Sequence, residues 1–312
     1  MFDYSFHLDA SLEVAVRASG YLQSSFYYPD QGKWGPRIYQ ATQGSLHDHI
    51  LTYKGDFDLI SSKNSFEITD LVVKNVTQLW FPELGEFEQM ELDAYFLEEE
   101  QAINYAGNNQ AMYCIVNRNT TNAWGVPRGY RIVPGRSNIH LSVSNSPFSK
   151  WQSQMSKSHL AVTRQHDTEP YANSIQNINM PFKPQQNFSK FFDGESVDGE
   201  DLVVFFNLGM HHFTRSEDVP VTLYTEAYSS IVFAPQNFFD RAQDGDLLNR
   251  RWVQAYSNGT VTFQDYGVEL PSCGVAFEEP AKGIDKVVSM VPTASSKVTA
   301  SQTDQPVTST GI

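Results

Sequence analysis

The chain has 312 residues, enough to bury a large hydrophobic core, and its 21 Phe, 15 Tyr, 19 Gly and 15 Pro favour β structure with many turns. Thirty-six acidic residues against 22 basic ones give a formal charge of −14 at pH 7. This balance argues against a nucleic-acid partner, because binding a phosphate backbone requires clustered Lys and Arg, and it favours cationic small molecules. No apolar run approaches the roughly 20 residues that cross a bilayer, so no membrane span is expected.

The first segment alternates apolar and polar residues, with apolar side chains at every even position from Phe2 to Ala18. This period of two predicts two strands that turn near residues 9–11. A domain that begins inside a long amphipathic strand is unusual. We therefore expect this strand to have a continuation or a neighbour outside the chain.

Further strands are predicted from β-branched and aromatic runs that alternate with turn-rich segments. Helix signals are sparse: residues 86–102 are the best candidate, and residues 235–251 are predicted to hold a short second helix. Together the elements predict an all-β protein, built as one large antiparallel β-sandwich with few short helices. The predicted strands after the first segment span residues 46–53, 66–74, 111–117, 129–133, 159–164, 202–208, 220–225 and 230–234.

The domain organisation is predicted from where these patterns stop. The sandwich is expected to span residues 1–262 and to be incomplete at its N-terminal side, followed by a C-terminal extension over residues 263–290. Residues 291–312 contain nine Ser or Thr and little apolar content. Such a segment cannot bury enough surface to order itself, so we expect a disordered tail.

A His-x-His pair, His47 and His49, lies in the stretch "HDHILTYKGDFD". Residues i and i+2 of a strand project from the same face, so these two imidazoles can aim at one point while Asp48 faces away. A catalytic transition-metal site often uses three protein ligands and leaves one position open. We therefore expect a third histidine on a neighbouring strand, either His211 or His212, and spacing alone does not choose between them.

The same residues also have interpretations without a metal. Isolated histidines such as His140 and His159 are more often hydrogen-bonded or surface residues than ligands. Asp56 and Asp58, which share the spacing of the histidine pair, would ordinarily be solvated carboxylates beside a glycine turn. The more specific alternative is that these two aspartates bind a hard cation such as calcium, which prefers oxygen ligands.

With these residues considered, the chain resembles the catalytic β-sandwich domain of the copper amine oxidases. The family's third-ligand pattern, Gly-x-x-His-x-x-Arg-x-Glu-Asp-x-Pro-Val, fits from Gly209 onwards and selects His212 rather than His211. The resemblance covers roughly residues 1–250. It rests on five blocks in the family's order: "HDHILTYKGDFD" at 47–58, "GVPRGYRIVP" at 125–134, "HLAVTRQHDTEPYA" at 159–172, "GEDLVVFFNLGMHHFTRSEDVPV" at 199–221 and "APQNFFDR" at 234–241.

The resemblance implies two metal sites. Copper would be bound by His47, His49 and His212. A peripheral calcium-type ion would be bound by three carboxylates and two backbone oxygens. The carboxylates would be those of Asp56, Asp58 and Asp201, and the backbone oxygens those of Phe57 and Leu202.

The resemblance further implies oxidative deamination of primary amines, in which amine, oxygen and water give aldehyde, ammonia and hydrogen peroxide. The family's organic cofactor is topaquinone, formed from the tyrosine of an Asn-Tyr-Asp/Glu-Tyr tetrapeptide, with an aspartate further upstream as general base. The preferred alignment places that tetrapeptide just before Met1, and a rival alignment places Phe2 at the cofactor position. On either alignment the chain lacks the precursor tyrosine and is expected to be inactive alone. Thr222 stands where the family usually has Met.

Two other functions fit the same residues. One is a copper-binding β-sandwich without enzymatic activity, and the other is a zinc hydrolase or lyase with three histidine ligands. The family resemblance also implies a homodimer. The sequence leaves open the amine preference, the pairing of Cys114 with Cys273 and the compartment. Four Asn-x-Ser/Thr sites slightly favour secretion, at Asn75, Asn119, Asn187 and Asn258.

Overall fold

The structure, a computed structural model, describes residues 1–179, 183–243 and 250–266. The described part is dominated by strands, with one single-turn α-helix, α1 (Pro147–Trp151), and several short 3₁₀ turns. In chain order the strands are β1 (Phe2–Phe6), β2 (Leu12–Arg17), β3 (Ser24–Phe26), β4 (Arg37–Tyr39), β5 (Thr42–Gly44), β6 (His47–Asp56), β7 (Lys63–Thr77), β8 (Glu86–Phe96), β9 (Gln101–Ile103), β10 (Ala111–Thr121), β11 (Pro127–Pro134), β12 (Leu160–Arg164), β13 (Glu200–His212), β14 (Tyr228–Gln236), β15 (Arg250–Ala255) and β16 (Val261–Tyr266).

Eleven strands form one continuous antiparallel network in the order β1-β2-β14-β11-β10-β7-β13-β12-β9, with β6 paired to β13 and β8 paired to β7. The first residues of β13 pair with β7, and the rest of β13 lies between β6 and β12. The strands on the two sides of this junction face each other across one core. This confirms the predicted all-β antiparallel sandwich.

The central strand β13 is buried on both faces, as its almost unbroken apolar run from Leu202 to Met210 requires. Leu202, Val204, Phe206 and Leu208 enter the main core, while Val203 and Phe205 enter a second, smaller cluster. Burying each side chain of this size stabilises the folded chain by roughly 1.5–3 kcal/mol relative to leaving it exposed. This burial on both faces holds β13 in place, and β13 ends at His211 and His212.

The predicted N-terminal hairpin is confirmed, with β1 and β2 paired from Phe2 opposite Val16 to Phe6 opposite Leu12. Its turn is closed by Asp9, whose Oδ1 accepts the backbone N–H of Ser11 at 3.0 Å and its hydroxyl at 2.7 Å. The apolar face of β1 is exposed along the edge of the sheet. All predicted strands except 220–225 overlap an observed strand.

The predicted helix over residues 86–102 is wrong, because this segment forms β8 and β9. Glu, Gln, Met, Leu and Ala give residues 86–96 good helix propensity. In the structure, however, all eleven residues of β8 pair with β7, from Glu86 opposite Thr77 to Phe96 opposite Glu67. Tertiary pairing outweighs local preference here.

One further prediction near the last strands of the sandwich is wrong, and another stays a prediction because part of it lies outside the described residues. Residues 220–225 are not a strand, and only Thr222 forms a bridge, to Gly20. Pro220 has no N–H to donate to a ladder. The ends of the predicted helix over residues 235–251 belong to β14 and β15, and residues 244–249 lie outside the described part of the chain.

The chain divides into two compact units, Met1–Leu247 and a second that begins at Leu248. In the second unit, β15 and β16 form a two-stranded antiparallel hairpin. The predicted subdivision at residues 262 and 290 stays a prediction, because the chain after Tyr266, including Cys273, lies outside the described residues. Cys114 is a fully buried thiol whose pKa is raised to about 12 by burial and, secondarily, by Glu67. Among the described residues, no helix has the length and apolar character needed to cross a membrane.

Candidate metal centre

The three histidines singled out in the sequence meet at one end of the β6–β13 ladder. In this antiparallel pairing His212 lies directly opposite His47, and Met210 lies opposite His49. Directly opposite residues share a face, and so do residues two apart on one strand. The ladder therefore projects all three imidazoles to the same side of the sheet.

Their ring nitrogens converge on one point. His47 Nε2 lies 2.9 Å from His49 Nε2, which lies 3.3 Å from His212 Nδ1. Ligands at about 2.0 Å from a metal are about 2.8 Å apart when cis in a square plane and about 3.3 Å apart in a tetrahedron. The observed separations match the spacing of nitrogens that share one metal ion.

The other nitrogen of two of these rings is held by the protein. His47 Nδ1 lies 2.6 Å from the carbonyl oxygen of Ser45, and His212 Nε2 lies 3.2 Å from Oδ2 of Asp218. A hydrogen bond at one imidazole nitrogen directs the lone pair of the other toward the metal. This selects Nε2 of His47 and Nδ1 of His212 as the donor atoms.

The protonation state also favours metal binding. Burial, followed by repulsion from His47 and His212, holds the pKa of His49 below its ordinary value. The neutral imidazole is the form that donates a lone pair, so the site need not displace a proton from His49 at neutral pH.

His211, the other candidate for third ligand, lies on the opposite face. Its Nδ1 contacts Oδ1 of Asp48 at 2.7 Å and the hydroxyl of Ser142 at 3.2 Å. Ser142 also donates its backbone N–H to Oδ2 of Asp48 at 2.9 Å. The structure thus brings His212 to the cluster and ties His211 to a neighbouring loop.

A cavity of about 80 Å³ opens beside the three imidazoles, and its wall is the segment from Ala18 to Gln23 together with Thr222 and Ala227. The Ser19 hydroxyl donates to the Thr222 carbonyl at 2.7 Å, and the Thr222 N–H donates to the Gly20 carbonyl at 3.0 Å. Sequence reasoning missed this wall, since residues 18–23 carry no motif. The cavity leaves one side of the centre open to a water molecule or a small ligand.

The donor set itself fits copper. Neutral imidazole nitrogens suit copper and zinc, and at a given nitrogen site Cu(II) generally binds more tightly than Zn(II). Three protein ligands with an open fourth side are typical of catalytic rather than structural sites.

The aspartates of the predicted peripheral site also converge. Oxygens of Asp56, Asp58 and Asp201 all lie within 4.8 Å of one another. Burial and then repulsion by the other two aspartates raise the pKa of Asp56, opposed by Lys54. The Phe57 carbonyl accepts the Asn64 side-chain amide at 3.0 Å and keeps a second lone pair. Leu202 follows Asp201 in β13 with its side chain in the core.

A third acidic group, Glu100, Asp193 and Glu195, was not singled out from the sequence. Glu100 accepts backbone N–H groups from Asp193 and Gly194 through Oε2 and from Arg164 through Oε1. Glu195 contacts His166 Nε2 at 2.5 Å, which is the main cause of the raised pKa of His166. These carboxylates fix a loop to β12.

Comparisons with known proteins agree with this geometry. A family model for the copper amine oxidase enzyme domain matches residues 1–254. Copper amine oxidase vicK1 of Bipolaris victoriae is 38% identical over 77% of this chain and 34% of its own length, and human amine oxidase [copper-containing] 3 is 32% identical over 77% and 31%. The chain spans about a third of the length of these relatives.

Solved structures show the same fold. Pichia pastoris lysyl oxidase superposes with a TM-score of 0.82 at 33% identity, covering 91% of this chain and 39% of that one. Aspergillus nidulans amine oxidase gives a TM-score of 0.80 at 35% identity, covering 89% and 37%. The domain match, the shared fold and the converging histidines lead to one conclusion: this chain belongs to the copper amine oxidase family.

Proposed function

We propose that the chain binds one copper ion through His47 Nε2, His49 Nε2 and His212 Nδ1, and that it forms the metal-binding part of a primary-amine oxidase. The observation that carries the proposal is the convergence of these nitrogens, at 2.9 and 3.3 Å, beside an open cavity. The family reaction converts a primary amine, oxygen and water to an aldehyde, ammonia and hydrogen peroxide. Bound copper would supply redox and Lewis-acid chemistry toward oxygen, and topaquinone would supply the electron acceptor for the amine.

The residues of the chain hold and enclose this centre. The β6–β13 ladder sets the spacing of the three imidazoles, and the contacts to Ser45 and Asp218 orient two of them. The contact between Ser19 and Thr222 joins two segments of the cavity wall. Thr222 places a short side chain at the cavity where the family usually has a longer Met.

The chain's own residues do not fit the organic cofactor. No Asn-Tyr-Asp/Glu-Tyr tetrapeptide occurs in its 312 residues. Oxidation of an amine to an imine removes two electrons, whereas Cu(II) reduced to Cu(I) accepts one. We therefore propose that this chain alone binds copper and does not turn over amines.

Metal analysis and a peroxide assay on the purified chain test these proposals. After growth with both copper and zinc, we expect about one copper per chain, following the order of divalent-metal affinities. We expect no hydrogen peroxide from benzylamine or methylamine in a preparation free of longer species. Stoichiometric zinc without copper would instead favour a zinc hydrolase or lyase, and detectable peroxide would overturn the proposed inactivity.

We propose that the aspartate cluster binds a calcium-type cation through Asp56, Asp58, Asp201 and the carbonyls of Phe57 and Leu202. The support is the mutual approach of the three carboxylates within 4.8 Å and the raised pKa of Asp56. A bound cation would relieve their repulsion.

Calcium is therefore expected to raise the melting temperature of the chain. A ligand at 100 times its dissociation constant stabilises by about 2.7 kcal/mol, which corresponds to several degrees. The effect should shrink at acidic pH, since the raised pKa means that Asp56 gains a proton, and loses its charge, at a higher pH than an ordinary Asp. Asp56→Asn should remove most of the shift, whereas exposed Asp30→Asn should keep it. An equal calcium response in both variants would contradict the site.

We also propose a homodimer contact through the β7–β8 hairpin. Its tip, residues 78–85, exposes Leu79, Trp80 and Leu84, and β8 adds exposed Met90 and Leu92. Contiguous exposed apolar side chains of this kind mark interaction surfaces. Sedimentation analysis of the chain and of a Trp80→Ser variant tests the contact: a monomer in both cases would rule it out for this chain.

A further inference from the structure

The two adjacent histidines at the end of β13 each contact an aspartate, but on opposite faces of the ladder. His212 Nε2 lies 3.2 Å from Oδ2 of Asp218, and His211 Nδ1 lies 2.7 Å from Oδ1 of Asp48. Only His212 belongs to the metal cluster. The contact of His212 with Asp218 therefore lies at the proposed metal site, and the contact of His211 with Asp48 lies on the other face and serves as a comparison.

The contact on the face of the histidine cluster is buried. The side chains of His212 and Asp218 are 3% and 1% exposed, whereas those of His211 and Asp48 are 36% and 13% exposed. Asp218 ends the 3₁₀ turn Ser216–Asp218, and its Oδ2 also accepts the backbone N–H of Arg215 at 3.0 Å. The carboxylate is therefore fixed before any metal arrives.

Within the described part of the chain, no Lys or Arg side chain pairs with the Asp218 carboxylate, whose side-chain partner is His212. Its Oδ1 is buried and has no hydrogen-bond partner among the described residues, and the guanidinium of Arg215 pairs with Glu226 at 2.8 Å. A buried carboxylate is costly unless a cation offsets it. A divalent ion on Nδ1 of His212 would be such a cation, one imidazole ring away.

We propose that Asp218 is a positioning residue for the copper ligand His212: it accepts the Nε2–H, fixes that tautomer and so directs the Nδ1 lone pair at the metal. This inference rests on the proposed metal binding by His47, His49 and His212. Outer-shell carboxylates of this kind orient the ring and increase its basicity as a ligand. Without Asp218, His212 could protonate Nδ1 or rotate, and either change removes the third donor.

The tautomer can be measured on the wild-type chain without added metal. Nitrogen-15 NMR distinguishes the protonated from the unprotonated ring nitrogen, and a His212→Gln sample identifies the signals of His212. We expect Nε2–H in the wild type. A His212 ring that carries its proton on Nδ1 would overturn the inference, whatever the chain does with copper.

Copper affinity in matched variants gives the second measurement. Asp218→Asn is expected to weaken Cu(II) binding about 10–100-fold in a chelator competition and to mix the His212 tautomers. Asp48→Asn, which alters the contact of His211 on the opposite face, should leave the His212 tautomer unchanged and lower the copper affinity much less than Asp218→Asn does. An Asp218→Asn chain that binds copper like the wild type, with His212 still Nε2–H, would refute the role of Asp218.

The two measurements separate the inference from the proposed function. A wild-type chain that binds no copper would remove the proposed metal site and the inference with it, whereas a chain that binds copper but carries Nδ1–H on His212 in the metal-free state would refute only the role of Asp218. If Asp218→Asn does not fold, the wild-type NMR measurement stands alone and needs no variant of Asp218.

Discussion

Replacing His212 with alanine is expected to abolish stoichiometric copper binding while the sandwich remains folded. His212 is the residue of β13 whose imidazole reaches the His47–His49 pair on β6, and its Nδ1 is the third donor. Loss of an outer-shell partner already weakens metal sites by about 10–100-fold, so loss of a direct ligand should exceed roughly 100-fold. Chelator competition on the purified chain measures the effect, with circular dichroism to verify the fold.

The neighbouring residue provides the control for this experiment. His211→Ala removes the same side chain from the same strand, but on the face that contacts Asp48 and Ser142. Its copper content should equal that of the wild type. If His211→Ala lost copper and His212→Ala kept it, the assignment of faces along β13 would be wrong.

Gly209→Ala is expected to destabilise the chain and to distort the centre together. Gly209 lies opposite Ile50 in the ladder, and a Cβ at this position would lie 2.0 Å from the carbonyl oxygen of His49. Ordinary contact requires about 3.5 Å, so β6 and β13 must separate beside His49. Overpacking of this kind costs about 1–3 kcal/mol or more, and a backbone obstacle favours the upper end. Thermal unfolding should show a fall of roughly 6–12 °C, and the copper affinity should fall with it.

Gly107→Ala is the matched control, because a Cβ there would meet no atom within 4 Å. That variant should unfold at the wild-type temperature and bind copper normally. A stable Gly209→Ala chain with unchanged copper affinity would mean that the ladder tolerates the separation, and that the glycine of the family pattern is not required for close strand approach.

The sequence predicted those parts of the fold in which apolar pattern and tertiary environment agree. The continuous apolar run of β13 and the alternation of β1 and β2 identify strands because burial follows the same period. Residues 86–96 were misassigned because their helix-forming composition says nothing about pairing with β7. That pairing depends on a partner strand, and no local pattern encodes it.

The candidate metal site also has parts that the sequence predicts and parts that only the folded structure reveals. The shared face of His47 and His49 follows from strand geometry alone. The choice of His212 over His211 required the family pattern, since neither sequence segment specifies the register between β6, which ends at Asp56, and β13, which begins at Glu200. The wall made by Ser19 and Gly20 and the contact of Asp218 with His212 had no signal in the residues themselves and emerged only from the folded chain.

The alternation of β6 and β13 makes the centre intolerant of small changes in strand length. Inserting one residue after Ile50, inside β6, would turn Asp48 toward the cavity and send both imidazole donors to the opposite surface, because side-chain direction reverses at each step of a strand. Loops elsewhere can grow by many residues at little cost. Changes in the length of the loops are therefore tolerated, whereas the number of residues within β6 and β13 must be preserved to keep the three imidazoles on one face.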